Sequence, residues 1–574
     1  MRRVSFYTRI KGVLGRLSEE YPDFLAIAAL LAFAVIIARP LGVNSLLAAH
    51  GEDIFIKAVA MHQAWQDGDL LGRWIPSLIH GYGYPVFNFY APLFFYVAAA
   101  LMFLPVPVFL AFNAAVFIFL FLSGVSMYVF AREVWGRAGG FLSAVAYLFV
   151  PYHLVDLYVR GAIAEFSAFA FAPLVLWAMV RLVRTVDARG MVAGIFATAG
   201  LMLTHTISSL FFIPAGGAYL LVLFFTGMKR DLGKLLAGIG MIAGGAALSA
   251  YFWVPALVEK KYVQTERLVT GYYEYSQHFV SLGRLLYSPW NDGLNKPMPV
   301  MVGLLHMLLA AAVIVFWKRI NARVRGAWVQ VAFFLLFFIA ACFFMLPASG
   351  FVWKAIPLLS FAQFPWRFLT CTALALSLLA GGIAGIVEAR HVSKVVLGAV
   401  LVIVAVSIPY CHTFGYKPVH YVASKEYLLN STPLDNMEYL PVAVRKISFA
   451  AGPQKLQPWV GEADVTLMRG AALDETYRVH ARTPAALGYA TYYFPGWEAA
   501  VDGHRTDIHE DNIYGLIAFA VPPGEHEVRV HFTTTPVRRA AEAVSAVTLV
   551  FLLAVLCFYS GLGARLRKIS PSVR

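Results

Sequence analysis

Blocks of about 20 consecutive apolar residues recur along most of this 574-residue chain, and they restrict its fold more than any other feature. A helix of that length spans roughly 30 Å of hydrocarbon, so each block is typical of a membrane-spanning helix. Hydrophobic residues occupy 60% of the positions, compared with about 45–50% in soluble domains. We therefore predict a polytopic α-helical membrane protein with about 12 spans. The predicted spans are 24–43, 107–131, 139–156, 165–184, 190–206, 208–227, 235–257, 298–317, 327–346, 366–387, 394–412 and 539–560.

The segment 86–104 is apolar enough to be a further span, but it is short and rich in Tyr and Pro. If it crossed the membrane, the basic loops at 229–234 and 318–325 would lie on the outer side, whereas Lys and Arg concentrate in cytoplasmic loops. We therefore predict that 86–104 is an interfacial, aromatic-rich helix within a first outer loop, 44–106, and that both termini are cytoplasmic. The net charge of +14 then reflects basic helix ends at the membrane and indicates no nucleic-acid partner.

Residues 414–537 differ from the rest of the chain because their hydropathy is lower and apolar positions alternate with polar ones. The alternation over 527–532 predicts a half-buried strand that follows a turn at 522–526. The Asp-Gly pair at 502–503 predicts the tip of a hairpin within 492–507. Three parts are therefore predicted: a transmembrane domain, 1–413; a small β-rich extracytoplasmic domain with a sandwich fold, 414–537; and a final transmembrane helix with a basic cytoplasmic tail, 538–574.

The first outer loop contains two adjacent acids, Glu52 and Asp53, at the start of a predicted helix. Apolar residues recur over 53–66 at helical spacing, which predicts an amphipathic helix lying along the membrane. A carboxylate in the first turn of a helix is favoured by the helix dipole, and Asp is also a preferred helix cap. Asp53 is therefore either a cap or a base held at the membrane edge, and Glu52 is the second candidate for the base.

Charged residues on the other predicted outer-face segments are candidates for a binding site. Arg160 and Glu165 lie in the loop 157–169, where they either bind a substrate or pair with each other, and Arg160 can also reach the interface. Trp366 and Arg367, at the start of a span, are two more candidates, and Arg367 is either functional or an interfacial anchor beside Trp366. The remaining candidates on this face are Arg73, Glu259 and His205, the last with a structural role at a helix end as its alternative.

Acids, arginines and aromatic residues on one membrane face suit a lipid with an anionic head, such as a polyprenyl phosphate. Arg binds phosphate through paired hydrogen bonds and stays charged. Aromatic side chains can stack on the apolar faces of a sugar, which makes Trp74, Tyr84 and Tyr90 of the first outer loop candidates for binding one. A carboxylate can take a proton from an acceptor hydroxyl while arginines stabilise the departing phosphate.

The sequence contains no cluster of His and Cys residues at the spacing of a metal site. We therefore expect that no cofactor and no metal ion is required. Three histidines of the first outer loop, His50, His62 and His80, leave the question of a metal open.

Several segments occur in the order found in one bacterial membrane family. They are GRWIPSLIHGYGYPVFNFYAPLFFY, YVRGAIAEF, LTHTISS, FWVPALVEKKYV and QFPWRFL, all between residues 20 and 410. In these segments the chain resembles the 6-pyruvoyl-tetrahydropterin-synthase-related membrane proteins. Its tail, with YYFPGWEAAVDG and VPPGEHEVRVHF, is similar to the C-terminal part of multispanning glycosyltransferase-like proteins. Both groups belong by resemblance to the GT-C class, with the protein O-mannosyltransferases, the oligosaccharyltransferases and the aminoarabinose transferase of lipid A.

The resemblance implies a GT-C-like fold with its active site in the first outer loop, a polyprenyl-phosphate-linked sugar as donor and inversion at the sugar. The catalytic acid of the class maps onto Asp53, with Glu52 adjacent to it. The expected protein is a glycosyltransferase at the outer face of the bacterial inner membrane, with a glycan, a lipid or a protein as acceptor. Two alternatives remain: a flippase or transporter for lipid-linked sugars, and a non-catalytic glycan-binding membrane scaffold.

Overall fold

The computed structural model describes residues 22–49, 52–227, 230–293, 296–417, 437–447 and 455–569, without the side chains of residues 22, 52 and 560–569. Most of the described chain is helical. The α-helices are α1 Pro22–Ile37, α2 Glu52–Gln66, α3 Val86–Phe89, α4 Leu93–Leu101, α5 Val108–Leu148, α6 Pro151–Val155, α7 Ile163–Ala168, α8 Ala172–Arg184, α9 Ala188–Thr204, α10 Thr206–Thr226, α11 Leu232–Leu248, α12 Ala250–Glu259, α13 Leu282–Leu286, α14 Leu304–Val315, α15 Trp317–Arg323, α16 Ala327–Met345, α17 Gly350–Ala355, α18 Leu369–Ala380, α19 Ala389–Ser407 and α20 Pro536–Ile569.

Seven helical stretches in the described ranges are long and apolar enough to cross a membrane, and the number rises to nine if each of two bent helix pairs is one span. The bends are 71° between α11 and α12 and 70° between α14 and α15. Two shorter apolar helices, Asp23–Ile37 and Ala188–Thr204, also coincide with predicted spans. The prediction of a helical membrane protein is therefore confirmed, whereas the number of 12 spans stays a prediction.

Helix α5 is a hairpin of two arms and not one straight rod. At Gly136 the backbone has φ 76° and ψ −179°, a conformation that glycine adopts without steric cost. The Cα of Gly124 lies so close to Leu148 that an added Cβ would be 3.0 Å from its side chain. In a straight helix those two residues would be roughly 36 Å apart, so the chain reverses at Gly136. The two arms correspond to the predicted spans 107–131 and 139–156.

The segment 86–104 forms two short helices, and the longer one, α4, has nine residues. A helix of that length extends about 14 Å, which is too short to cross the hydrocarbon core. Phe94 of α4 packs edge-on against Phe112 of α5, with ring centroids 5.5 Å apart. This geometry agrees with the prediction that 86–104 is not a span, while its place at the membrane interface stays a prediction.

Helix α2 was predicted over 53–66 and is confirmed, but its amphipathic character is not. Ile54, on the predicted apolar face, is 7% exposed, and Ile56, on the opposite face, is 0% exposed. Even Lys57 is buried, at 5% exposure. Helix α2 is therefore embedded among other elements, where one apolar stripe was expected to lie along a membrane surface. The physical reason is that other elements cover more than the predicted stripe: Phe55, outside the stripe, stacks on Phe109 of α5 with ring centroids 4.6 Å apart.

The C-terminal part of the chain contains two antiparallel sheets, as the alternating sequence pattern predicts. A five-stranded sheet has the order β4-β5-β10-β7-β8, and a three-stranded sheet has the order β3-β6-β9. The hydroxyl of Tyr489 in one sheet donates to the Glu475 carboxylate in the other, over 2.8 Å. The strands of these sheets are β3 Leu456–Val460, β4 Ala463–Ala471, β5 Asp474–Ala481, β6 Ala485–Tyr492, β7 Trp497–Val501, β8 His504–Thr506, β9 Leu516–Val521 and β10 Gly524–Phe532.

Two predicted details of this β-rich part are confirmed. Strands β7 and β8 form a hairpin in which Val501 pairs with His504. Asp502 and Gly503 at its tip both have positive φ, 50° and 78°, as a tight two-residue hairpin turn requires. Strand β10 buries Val528 and Val530 alternately with exposed neighbours, which makes it the expected half-buried strand.

The predicted domain boundary at 414 stays a prediction, because residues 418–436 and 448–454 lie outside the described ranges. The short strand β2, Tyr416–Lys417, pairs with β1, Leu46–Leu47, at the start of the first outer loop. The sheets also contact that loop, since the Tyr492 backbone N–H donates to the Tyr82 carbonyl over 2.9 Å. The β-rich part therefore packs directly on the first outer loop.

Candidate functional site

A cavity of about 440 Å³ brings residues from both halves of the chain together. This size lies within the range of about 300–1,000 Å³ that is usual for ligand sites. Five of the predicted site residues line it: Asp53, Tyr84, Tyr90, His205 and Arg367. The other polar or aromatic side chains in the described lining are Lys57, Phe89, Thr204, Thr206, Lys260, Thr265, Tyr273, Phe361, Gln363, Glu438 and Tyr439.

Asp53 forms an ion pair with Lys57, one helical turn further along α2. The two side chains meet at 2.6 Å between Nζ and Oδ2. Burial alone would lower the pKa of Lys57, but Asp53, which accepts its hydrogen bond, and the nearby Tyr90 and Glu438 raise it above its ordinary value. Lys57 is therefore a permanent ammonium at neutral pH, and it holds the Asp53 carboxylate in one place at the cavity wall. Because helix α2 begins at Glu52, Asp53 is a first-turn residue.

Tyr90 lies between the charged groups of the cavity. The Lys57 ammonium sits 4.8 Å from the centroid of its ring. Burial raises the pKa of the Tyr90 phenol, Lys57 lowers it, Asp53 and Glu438 raise it further, and Arg367 lowers it. The phenol is therefore a neutral hydrogen-bond donor at neutral pH, surrounded by two cations and two carboxylates.

Arg367 reaches the cavity from a buried network of ion pairs. Its Nε lies 3.3 Å from Oε2 of Glu165, and its Nη1 donates to the Gln363 side-chain oxygen over 2.8 Å. Glu165 also accepts from Arg160 Nη1 over 2.9 Å and from the Tyr152 hydroxyl over 2.8 Å. Arg160 and Glu165 thus pair with each other, which was the alternative to substrate binding, and neither is among the residues of the cavity lining. Their effect on the cavity is to fix Arg367.

His205 lines the cavity and also caps helix α10. Its Nδ1 accepts the backbone N–H of Ser208 over 3.2 Å. An acceptor at Nδ1 places the ring proton on Nε2 in the neutral histidine. The structural role that was the alternative for this residue is therefore present, and it leaves Nε2 as a donor.

Arg73 and Glu259 belong to a second buried network, away from the Asp53 cavity. Arg73 donates to Glu542 over 2.8 Å and to Asn88 over 3.0 Å. Glu259 accepts from Arg538 over 2.9 Å and from Asn88 over 2.8 Å. Arg73 and Glu259 are thus paired with other side chains of the protein, and the structure does not bring either residue to the cavity as predicted. They join the first outer loop and α12 to the final helix, α20.

Two further candidates, Trp74 and Trp366, also lie apart from the cavity lining that the structure describes. Trp74 is 0% exposed and packs against Phe494 at 5.9 Å between ring centroids, which ties the first outer loop to the β-rich part. Trp366 stacks on Phe364 at 4.5 Å and is partly buried. The side chain of Glu52 lies outside the described atoms, so its position relative to the cavity is not part of the structure.

Sequence reasoning missed several residues that line the cavity, including Lys57, Lys260, Glu438 and Tyr439. Lys57 had a detectable signal, because residues four apart on a helix are neighbours and an acid followed by Lys at that spacing is favourable. Glu438 and Tyr439 had none. The Tyr439 backbone N–H donates to the Tyr84 hydroxyl, 355 positions earlier in the chain, and no local pattern encodes that contact.

No group of three or more potential metal ligands occurs within the described ranges. Among the histidines that left this question open, His62 contacts the Ala99 carbonyl over 3.2 Å and the Gln66 side chain over 3.0 Å. His50 lies outside the described residues. The expectation that no metal is required therefore stays a prediction.

A family described as "6-pyruvoyl-tetrahydropterin synthase related domain; membrane protein" has a model that matches residues 87–414. A protein of Lactococcus lactis subsp. cremoris (strain MG1363), described as uncharacterized, is 24% identical over 229 residues, which are 39% of this chain and 36% of that protein. The match therefore spans little more than a third of this relative.

Three solved structures match part of this chain with TM-scores below 0.5. The arabinofuranosyltransferase AftD from Mycobacteria matches at a TM-score of 0.43 and 16% identity, over 68% of this chain and 27% of AftD. ArnT from Cupriavidus metallidurans, bound to undecaprenyl phosphate, matches at 0.39 and 16%, over 66% and 63% of the two chains. The Archaeoglobus fulgidus oligosaccharyltransferase matches at 0.44 and 13%, over 72% and 61%. This chain thus spans less than two thirds of each.

Proposed function

The chain belongs to the 6-pyruvoyl-tetrahydropterin synthase related family of membrane proteins, and we propose that it is a glycosyltransferase that moves a sugar from a polyprenyl-phosphate donor to an acceptor with inversion at the sugar. The reaction takes place in the cavity that Asp53 and Arg367 line, at the outer face of the bacterial inner membrane, with both termini cytoplasmic. The acceptor is a glycan, a lipid or a protein.

One observation carries this proposal: Asp53, His205 and Arg367, three residues far apart in the sequence, line one cavity. The described lining contains three basic side chains, those of Lys57, Lys260 and Arg367, and two acidic side chains, those of Asp53 and Glu438. A concave site with an excess of positive charge attracts an anionic group such as a lipid phosphate. The carboxylate of Asp53 provides the base that the transfer needs.

The position of the cavity in the fold also supports a lipid-linked donor. Thr204 is the last residue of α9, and Thr206 is the first residue of α10. Arg367 lies near the start of the apolar stretch Pro365–Gly385. The cavity is therefore built at the ends of apolar helices, which is where the phosphate of a membrane lipid lies.

The proposed reaction is one displacement at the anomeric carbon of the sugar. The Asp53 carboxylate takes the proton of the acceptor hydroxyl, whose oxygen forms a bond to the anomeric carbon. The bond between that carbon and the phosphate oxygen breaks on the opposite face, and its electron pair leaves on the phosphate. Arg367 and the other cations stabilise the charge that develops there.

Of the predicted site residues, the cavity supports Tyr84, Tyr90, His205 and Arg367 as contacts of the donor. The residues assigned to support of the fold are Arg73, Trp74, Arg160, Glu165, Glu259 and Trp366.

The test of this function is the purified protein in proteoliposomes that contain polyprenyl-phosphate-linked sugars and candidate acceptors. We expect release of free polyprenyl phosphate and formation of a glycosylated acceptor, both at the outer-face side of the vesicles. The Arg367→Ala variant serves as the matched control and should lose most of the turnover. Movement of intact lipid-linked sugar between the leaflets, without cleavage of its phosphate bond, would instead establish a flippase.

Removal of metal ions is expected to leave the transfer rate unchanged. The cations that would stabilise the phosphate are side chains of the protein, so a divalent ion is not needed for that role. The measurement is the initial rate of polyprenyl phosphate release before and after dialysis against a chelator. A loss of activity that Mg²⁺, Mn²⁺ or Zn²⁺ restores would contradict this expectation.

A further inference from the structure

Residues 437–444, here called the strap, come from the C-terminal half of the chain, and two of them, Glu438 and Tyr439, line the cavity. The strap is fixed by backbone groups: Gln264 N–H donates to the Leu440 carbonyl over 3.0 Å, and Val442 N–H donates to the Tyr262 carbonyl over 3.0 Å. The side-chain amide of Gln264 donates to the Pro441 and Val444 carbonyls, over 3.1 and 2.9 Å. These hydrogen bonds hold the strap in one position, so it is a fixed part of the cavity wall.

The strap presents an aromatic ring and a carboxylate side by side. The ring of Tyr439 stacks on Phe89 of the first outer loop, with centroids 5.3 Å apart and an angle of 18° between the rings. The Tyr439 backbone N–H donates to the Tyr84 hydroxyl over 3.0 Å. These contacts hold the neighbouring Glu438 at the cavity, where its side chain is part of the lining and half-buried.

Glu438 differs from the other carboxylate of the cavity in its partners. Asp53 is paired with Lys57, whereas Glu438 makes no hydrogen bond or ion pair at contact distance with the described part of the chain. Its side chain nevertheless lines the same cavity as the Asp53–Lys57 pair and Tyr90. An ionised carboxylate has acceptor sites for about four hydrogen bonds, and a half-buried carboxylate needs donors to offset its lost hydration.

The donors that match such a group are the hydroxyls of a sugar. An anionic phosphate would be repelled by Glu438, and an apolar lipid chain would leave its oxygens without partners. A sugar offers several hydroxyls for the carboxylate and an apolar face for an aromatic ring such as Tyr439. The phosphate of the same donor would be drawn to the cations instead.

We propose that Glu438 and Tyr439 of the strap form the binding site for the sugar of the lipid-linked donor, so that the C-terminal half of the chain supplies sugar recognition. This inference rests on the proposed transfer function and adds the sugar contacts to it. The cavity is complete only with the strap in place.

The test compares two ligands of the full-length protein: the polyprenyl-phosphate-linked sugar that the wild type consumes, and the same polyprenyl phosphate without a sugar. In Glu438→Gln, binding of the sugar-bearing lipid is expected to weaken about 10-fold or more, as for loss of a hydrogen bond to a charged group. Binding of the sugar-free lipid should stay unchanged. The KM for the donor should rise while kcat changes less than about threefold.

The matched control is Glu462→Gln, an exposed acid of the β-rich part whose only ion pair, to Arg482, is 3.9 Å long in the described chain. It should bind both ligands as the wild type does, and both variants should unfold at the wild-type temperature. Equal weakening of both ligands in Glu438→Gln would overturn the proposed sugar contact, as would unchanged binding of both. A wild type that consumes no lipid-linked sugar would overturn the transfer function itself.

Discussion

Replacement of Asp53 by Asn is expected to lower the rate of sugar transfer by a factor on the order of 10²–10⁴, the range over which a general base usually contributes. The Asn side chain has almost the same shape and still offers an oxygen to Lys57, so the 2.6 Å contact that anchors residue 53 can persist. An amide oxygen cannot take the proton of an acceptor hydroxyl. The measurement is the initial rate of polyprenyl phosphate release by the purified variant, with membrane insertion and thermal unfolding checked in parallel.

Two variants of the same loop make this result specific. Asp67→Asn makes the same chemical change at an exposed position beyond the end of helix α2 and should leave the rate unchanged. Glu52→Gln addresses the second candidate for the base and should retain most of the activity. If Glu52→Gln abolished transfer and Asp53→Asn did not, Glu52 would be the base and Asp53 its neighbour.

Replacement of Glu259 by Ala is expected to destabilise the folded protein by about 3–5 kcal/mol, the usual effect of leaving a buried charge without its partner. Arg538 is 0% exposed and donates to the Glu259 carboxylate through two nitrogens, over 3.1 and 2.9 Å. Asn88 and Thr535 donate to the same carboxylate, so three side chains lose an acceptor at once. The measurement is the unfolding temperature in detergent, together with the yield of inserted protein.

A second variant separates the lost charge from the lost side chain. Glu259→Gln combined with Arg538→Met removes both charges and keeps an oxygen for Asn88 and Thr535, so it should be more stable than Glu259→Ala. An exposed ion pair provides the control: Glu388→Ala breaks a 2.9 Å contact to Arg390 and should change stability by less than about 1 kcal/mol. A Glu259→Ala protein as stable as the wild type would show that this network does not hold α20.

Local patterns in the sequence were sufficient for much of the fold. Apolar blocks of span length predicted helices, and the Asp-Gly pair at 502–503 predicted the tip of the β7–β8 hairpin because both residues readily adopt positive φ. Helix α2 shows a property that local patterns do not predict. Its burial on all sides depends on which elements cover it, and an apolar stripe on a helix does not contain that information.

The site was harder to predict than the fold, because residues with similar local surroundings had different partners. Arg73 and Arg367 each stand next to a tryptophan in a predicted outer-face segment. Arg73 pairs with Glu542, 469 positions away, and supports the fold, whereas Arg367 lines the cavity. Nothing near either arginine distinguishes these outcomes. Lys57 was also missed, but its local sequence did contain a signal, since its spacing from Asp53 places the two residues on one helix face.

The strap has a consequence for how the protein is made. A ribosome synthesises Tyr84 355 positions before Tyr439, which at about 5–20 residues per second is a delay of roughly 20–70 seconds. During that interval Asp53 and Lys57 are already synthesised, while the part of the cavity wall that contains Glu438 does not yet exist. The growing chain therefore contains Asp53 well before it contains Glu438, the other carboxylate of the cavity. The strap begins the last quarter of the polypeptide, so a product truncated before residue 437 would lack this part of the cavity wall.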